Sequence, residues 1–201
     1  MIKSILVLIF LLISICGCSV NNQPNTLMIN ELERENISKE LMDEITYILF
    51  LFKQKDLDTL NRKFVNPKIG FYKVFKNENS HKIVFNRLLK IDDISDEVTS
   101  YDIKQEMVTF DCSPSNDKYY GWNKEGTFIT TDIKPYLSQI MNDENRVVSN
   151  KYKENELKLV ERIEKTSYEV VVTYNKIFYL TKIDNFYYIT LIDEVKTDCG
   201  G

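Results

Sequence analysis

Residues 167–195 read SYEVVVTYNKIFYLTKIDNFYYITLIDEV. Val, Ile, Tyr, Phe and Thr dominate this stretch, and such residues fit a pleated, half-buried surface. Three β-rich runs are visible: SYEVVVTY, KIFYLTKI and FYYITLIDEV. Asn175 opens one corner. Asp184-Asn185 lies between Ile183 and Phe186, a two-residue hairpin signal. Just upstream, ELKLVERIE reads as a fourth run, divided from the others by KTS. The natural reading is an antiparallel meander. Its alternation places large aromatics on both faces, so both faces should be at least partly covered.

Working back from the meander, TTDIKPYLSQIMNDE predicts a helix. Thr131 or Asp132 would cap it, Pro135 would sit in its first turn, and Ile133, Leu137, Ile140 and Met141 would form its face. SPSNDKYYGWNKEG is a loop, and EMVTFDC before it reads as a strand that ends at Cys112. DDISDEV is an acidic turn. HKIVFNRLLKI fits either a helix or an extended edge, and KIGFYKVF fits a strand. Asn30 and Glu33 form a capping-box pattern, which predicts a helix over 31–54 with Ile37, Leu41, Ile45, Ile48, Leu49 and Phe52 at helical spacing. Asp56 then caps a short second helix, which Asn66-Pro67 ends. Helices first and a meander last is an α+β plan: N-terminal helices packed on one side of a curved antiparallel sheet.

The N-terminus carries an address. Met1-Ile2-Lys3 is followed by an apolar run, Ile5 to Ile15, broken only by Ser14. A helix that crosses a bilayer core of ~30 Å needs about 20 residues. This run is shorter and has the length of a signal-peptide core. Ile15-Cys16-Gly17-Cys18 reads as a lipobox, with small Gly17 before the cut and Cys18 after it. A cut before Cys16 would put bulky Ile15 next to the scissile bond. The organisation expected is therefore a lipoprotein signal peptide over 1–17, a lipidated Cys18 opening a polar tether over 18–29, and one α+β domain over 30–201. Ser19 follows the lipid-bearing position and favours the outer membrane, facing the periplasm, in a Gram-negative cell.

Bulk composition excludes several classes. Thirty acidic residues stand against 26 basic ones, for a formal charge of −4, and no basic run is present to meet nucleic acid. His81 is the lone histidine and lies in polar NENSHK. A Ser-His or Cys-His device and a zinc site both lack partners. There is no Gly-rich phosphate loop. An EF-hand frame with Gly121 at its sixth position puts Lys118 at the third, where a ligand is needed. Asp92, Asp93, Asp96 and Glu97, and then Asp143 and Glu144, read as solvated loop charge. No spacing singles out a carboxylate pair. No cofactor and no metal are expected. Cys112 and Cys199 remain after processing, and an even count in an exported chain favours a disulfide over two free thiols or a catalytic cysteine.

Phe110-Asp111-Cys112, Trp122-Asn123-Lys124-Glu125-Gly126, Phe178 to Asp184, Tyr188 to Asp193 and Asp198-Cys199 form a pattern. It resembles a family of bacterial lipoproteins without assigned function, over about a third of the chain. That resemblance implies that Cys112 and Cys199 are paired, and it implies no reaction or ligand. Asn185 stands where the family has Gly after the hairpin Asp. Helices followed by a meander also resemble NTF2-like cone folds in architecture, which licenses no function.

The expectation for function is a lipid-anchored binding or interaction module that engages a protein or a small ligand. The alternatives are a periplasmic hydrolase using pocket carboxylates, and a toxin-neutralising immunity lipoprotein. Membrane contact would run through the N-terminal lipid. The loop from Ser113 to Gly126 is the candidate recognition surface, with Tyr119, Tyr120 and Trp122, because aromatic side chains dominate binding hot spots. The competing reading makes Trp122 a plug at the edge of the core.

Overall fold

The computed structural model describes residues 36–199, apart from 116, 117, 134 and 135. Cys18, the signal peptide, the tether, the Asn30/Glu33 capping box and Pro135 lie outside the described residues.

Helix α1 (Lys39–Gln54) starts later than the capping box predicts. Ser38 caps it by accepting from Leu41 N at 3.1 Å, and 36–38 are not helical. Lys55, at φ 54°, ends it. Asp56 then caps α2 (Leu57–Phe64) as expected, accepting from Thr59 N at 3.0 Å. Strands β1 (Phe71–Lys76) and β2 (Ile83–Leu88) form a hairpin, so the ambiguous HKIVFNRLLKI is an edge strand. β3 (Ile103–Lys104) and β4 (Thr127–Thr130) follow. Next come α3 (Leu137–Val147), α4 (Glu154–Thr166), β5 (Tyr168–Val172), β6 (Ile177–Ile183) and β7 (Phe186–Asp193).

The seven strands make one open, curved sheet in the order β2-β1-β7-β6-β5-β4-β3. The meander β5-β6-β7 is antiparallel, and Asp184 and Asn185 turn the last corner at φ 50° and 67°. These two positive φ values are those of a two-residue type I′ turn. The sheet as a whole is mixed, which corrects the antiparallel expectation: β1 runs parallel to β7, and β3 parallel to β4.

Three further expectations change. ELKLVERIE is not a strand but most of α4. Leu157, Val160 and Ile163 fall three apart on one helical stripe, Lys158, Glu161 and Arg162 fall between them, and Glu154 and Glu156 suit the positive end of the helix dipole. EMVTFDC forms no strand; Phe110 makes a single bridge to Trp122. The N-terminal helices α1 and α2 do share one side, but α3 and α4 take the other. α1 and α2 pack against the face that carries Phe71, Ile129, Val170, Phe178 and Ile189. α3 and α4 pack against the face that carries Tyr72, Phe128, Val171, Ile177 and Leu191. The sheet is therefore the middle of three layers. Each fully buried Leu or Ile in these layers contributes about 1.5–3 kcal/mol.

A β-bulge sets the phase of β7. Tyr179 faces Leu191 and Leu180 faces Ile189, so Thr190 is an extra residue. Its hydroxyl meets that of Thr181 at 2.7 Å, inside the sheet. Before the bulge, Tyr187 and Ile189 point to the α1–α2 layer. After it, Ile192 takes that side, and Leu191 points to the α3–α4 layer. Asp193, two residues on from Leu191, joins it on the α3–α4 side.

Candidate functional site

On the α3–α4 face, beyond the head of α3, the sheet and the 107–110 segment border an open-sided cavity of about 550 Å³. Val108, Phe110, Trp122, Val171 and Ile177 supply its apolar wall. Three strands bring polar groups to this face. Glu169 on β5 stands opposite Tyr179 on β6, and Asp193 ends β7. Glu169 is 6 % exposed and Asp193 2 %. Charged side chains this dry are rare unless they are paired.

Glu169 is paired. Its Oε2 accepts from Tyr179 OH at 2.8 Å and also meets Lys196 Nζ; the ammonium in turn donates to Tyr179 OH at 3.0 Å. Asp193 is half satisfied. Its Oδ1 accepts from Val195 N at 2.8 Å and Lys196 N at 3.2 Å, the turn that brings Lys196 back over the sheet. Its Oδ2 is buried with no hydrogen-bond partner, and so is the Tyr136 hydroxyl. The two groups lie close enough that each influences the other's proton, but their contact falls short of hydrogen-bond geometry.

Burial pushes the Asp193 carboxyl above the usual carboxylate range; the Lys196 charge, Tyr136 and the two backbone donors work against that shift. Burial also raises the phenols of Tyr179 and Tyr136. The charges of Glu169 and Asp193 add to the first effect, and that of Asp193 leads the additions to the second. Both phenols are neutral at physiological pH and able to donate.

Tyr136 is held at the head of α3 by a cap from another helix. Neither Thr131 nor Asp132 caps α3. Glu164 of α4 reaches across instead and accepts from Tyr136 N at 3.0 Å, Leu137 N at 2.6 Å and Ser138 N at 3.2 Å. A buried carboxylate on three orphan amides at a positive helix end is well placed.

The opposite wall is fixed by the loop around the disulfide. Cys112 and Cys199 are bonded, with Cα atoms 5.3 Å apart. The bond ties the arm that carries Phe110 to the tail that carries Asp193 and Lys196. Trp122 packs edge-to-face on Phe110 at 5.1 Å. Tyr120 and Gly121, at φ 50° and 92°, form the turn before it, and Trp122 N donates to Tyr119 O at 3.1 Å. A Cβ on Gly121 would lie 2.7 Å from the Phe110 ring and 2.8 Å from Asp111 O, so only glycine fits.

The residues expected to form a recognition loop therefore separate. Trp122, 7 % exposed, belongs to the core and walls the cavity. Tyr119 is half-buried against the same core. Tyr120 is 75 % exposed and stacks edge-on upon Tyr174, beside a smaller hollow of about 310 Å³. His81 is exposed in the β1–β2 turn. Asp92, Asp93, Asp96 and Glu97 are exposed, as expected of solvated charge. Sequence reasoning missed Tyr136, Glu169, Tyr179, Asp193 and Lys196. A usable signal was present in two of them: Glu169 is a lone acid inside an otherwise apolar strand, and Asp193 closes the last β-rich run.

Among the described residues, no group of three or more His, Cys, Asp or Glu is arranged to hold a metal ion, and no helix is long and apolar enough to cross a membrane. Comparison with protein-family models, with curated proteins and with solved structures found no match.

Proposed function

We propose that this is an exported protein, anchored by lipid at Cys18 to the cell envelope, whose folded part binds a small ligand in the cavity between the sheet and the head of α3. Its class is a binding module rather than a catalyst. One observation carries the reading: Asp193 lines an otherwise largely apolar cavity, and its buried Oδ2 has no hydrogen-bond partner. A buried acceptor left unmade costs about 1–3 kcal/mol. A binding protein recovers that cost when its ligand arrives. The volume lies within the range of small-molecule sites, about 300–1,000 Å³.

The hydrolase alternative rests on Glu169 and Asp193 sharing one cavity. Hydrolysis of a glycoside needs two carboxylates free to act on the substrate. Glu169 is engaged through Oε2 by Tyr179 and Lys196, and Asp193 through Oδ1 by two backbone amides. That arrangement favours holding over cutting.

The anchor is supported by the Ile15-Cys16-Gly17-Cys18 pattern. With palmitate labelling of growing cells, wild-type protein should carry label and Cys18→Ala should carry none and keep its signal peptide. A mature N-terminus that proves free and unmodified removes the anchor. For the cavity, the protein extracted from membranes in mild detergent should bring a small molecule with it, seen by mass spectrometry under non-denaturing conditions. Thr109→Trp plugs the cavity from an exposed position that gives only backbone groups to the loop's hydrogen bonds. Equal recovery of the molecule from that variant would place binding elsewhere.

A further inference from the structure

Resting on the reading of this cavity as a ligand site, we infer that its ligand is a small organic amine, an ammonium group on an apolar, preferably aromatic, body. Asp193 and Tyr136 would take the ammonium, and Phe110 and Trp122 would take the body.

The charge arrangement selects the sign. Among the described residues that line the cavity, Asp132, Glu169 and Asp193 are acidic and Lys196 is the cation. Lys196 is engaged with Glu169 and with the Tyr179 hydroxyl, and its charge also acts on Asp193, so it is already shared between two carboxyl groups. The wall keeps a net negative charge, centred on Asp193. An anionic ligand would set its charge beside Asp193 and would compete with Glu169 for Lys196. A neutral apolar ligand would seal Asp193 Oδ2 in without a bond.

The hydrogen-bond arrangement selects the group. Asp193 Oδ2 and the Tyr136 hydroxyl are two buried oxygens in one wall, both without a bonded partner. An ammonium has up to three donors on one atom and bonds both oxygens at once. Hydrogen bonds to a charged partner are about twice as strong as neutral ones. The apolar wall selects the body. The Trp122–Phe110 pair lies edge-to-face, and the aromatic faces of such a wall attract cations and pack on rings.

The test uses the whole protein, purified from membranes in detergent, and three probes of one shape: phenethylamine, 2-phenylethanol and phenylacetate. Dissociation constants come from the rise in melting temperature with probe concentration. Phenethylamine should bind about tenfold or more tightly than 2-phenylethanol, and phenylacetate more weakly still. Asp193→Asn should erase the preference for the amine, and its own melting curve shows that it is folded. Thr109→Trp should block all three probes.

Equal affinity for the amine and the alcohol, or a preference for phenylacetate, overturns the amine assignment while the cavity remains a ligand site. An amine preference that survives Asp193→Asn also overturns it. Wild-type protein that none of the probes stabilises overturns the amine inference, and if Thr109→Trp then retains its co-purified molecule the cavity reading falls with it.

Discussion

Asp193 is a carboxylate held 2 % exposed at the end of a strand, and its position has a cost that depends on pH. Its pKa in the folded chain is above the ordinary 3.8. The native state then binds this proton more tightly than the unfolded state does, so stability falls as pH rises from about 4 through the folded pKa. Asp193→Asn removes that loss and still accepts from Val195 N and Lys196 N. The variant should melt higher than wild type at neutral pH, with the gap closing below about pH 4. Melting curves across that range check it, and a variant less stable than wild type at neutral pH would refute it. Trp122 carries a different expectation. It is 7 % exposed and packs on Phe110 and the α3–α4 core. Trp122→Ala should cost about 3–5 kcal/mol by denaturant titration. A loss within a few tenths of wild type would return Trp122 to the surface-recognition role that its loop position implies.

At the scale of elements, α3 has no cap of its own and depends on α4. Three amides at its head converge on Glu164, which is 6 % exposed. Glu164→Ala leaves them without that acceptor and should destabilise the protein by about 2 kcal/mol or more. Glu164→Gln should recover part of the loss by keeping one acceptor oxygen. Urea titration of both variants against wild type measures the difference, and equal stability of all three would show that water replaces the cap. This contact was illegible in the sequence because cap and capped residue lie in different helices. Local features were legible: the Asp56 cap, the Asp184-Asn185 corner and the β-rich runs of β5, β6 and β7 follow from neighbouring residues alone. ELKLVERIE was misread because its Leu, Val and Ile fit a strand by composition; the three-residue interval of the buried side chains decides for a helix. The candidate site was hidden by the bulge. Plain alternation along β7 puts Asp193 on the same side as Tyr187 and Ile189, and the extra Thr190 moves it to the other face. Glu169, Tyr179 and Asp193 come from three strands, and their meeting depends on registers that periodicity does not supply.

For the molecule as a whole, the disulfide joins residues 87 apart in sequence. The chain-entropy account gives such a crosslink about 4–5 kcal/mol, and engineered examples often give less. Reduction, or replacement of both cysteines by serine, should lower the melting temperature by up to roughly 10 °C. An unchanged melting temperature in scanning calorimetry would mean that the crosslink only steadies the cavity wall. The place of β1 in the sheet has a further consequence, for the order in which the chain can fold. β1 lies between its hairpin partner β2 and β7, the most C-terminal of the described strands. The ribosome must therefore deliver residues 186–193 before the middle of the sheet can close, and Cys112 must wait for Cys199. Contacts this distant in sequence form slowly, because closing the loop costs entropy before any pairing offsets it. Closure of the sheet therefore comes only after residue 193 has been made, whatever hairpins form earlier. For a chain that must thread a membrane unfolded, as the proposed export requires, that delay keeps it passable until it has crossed.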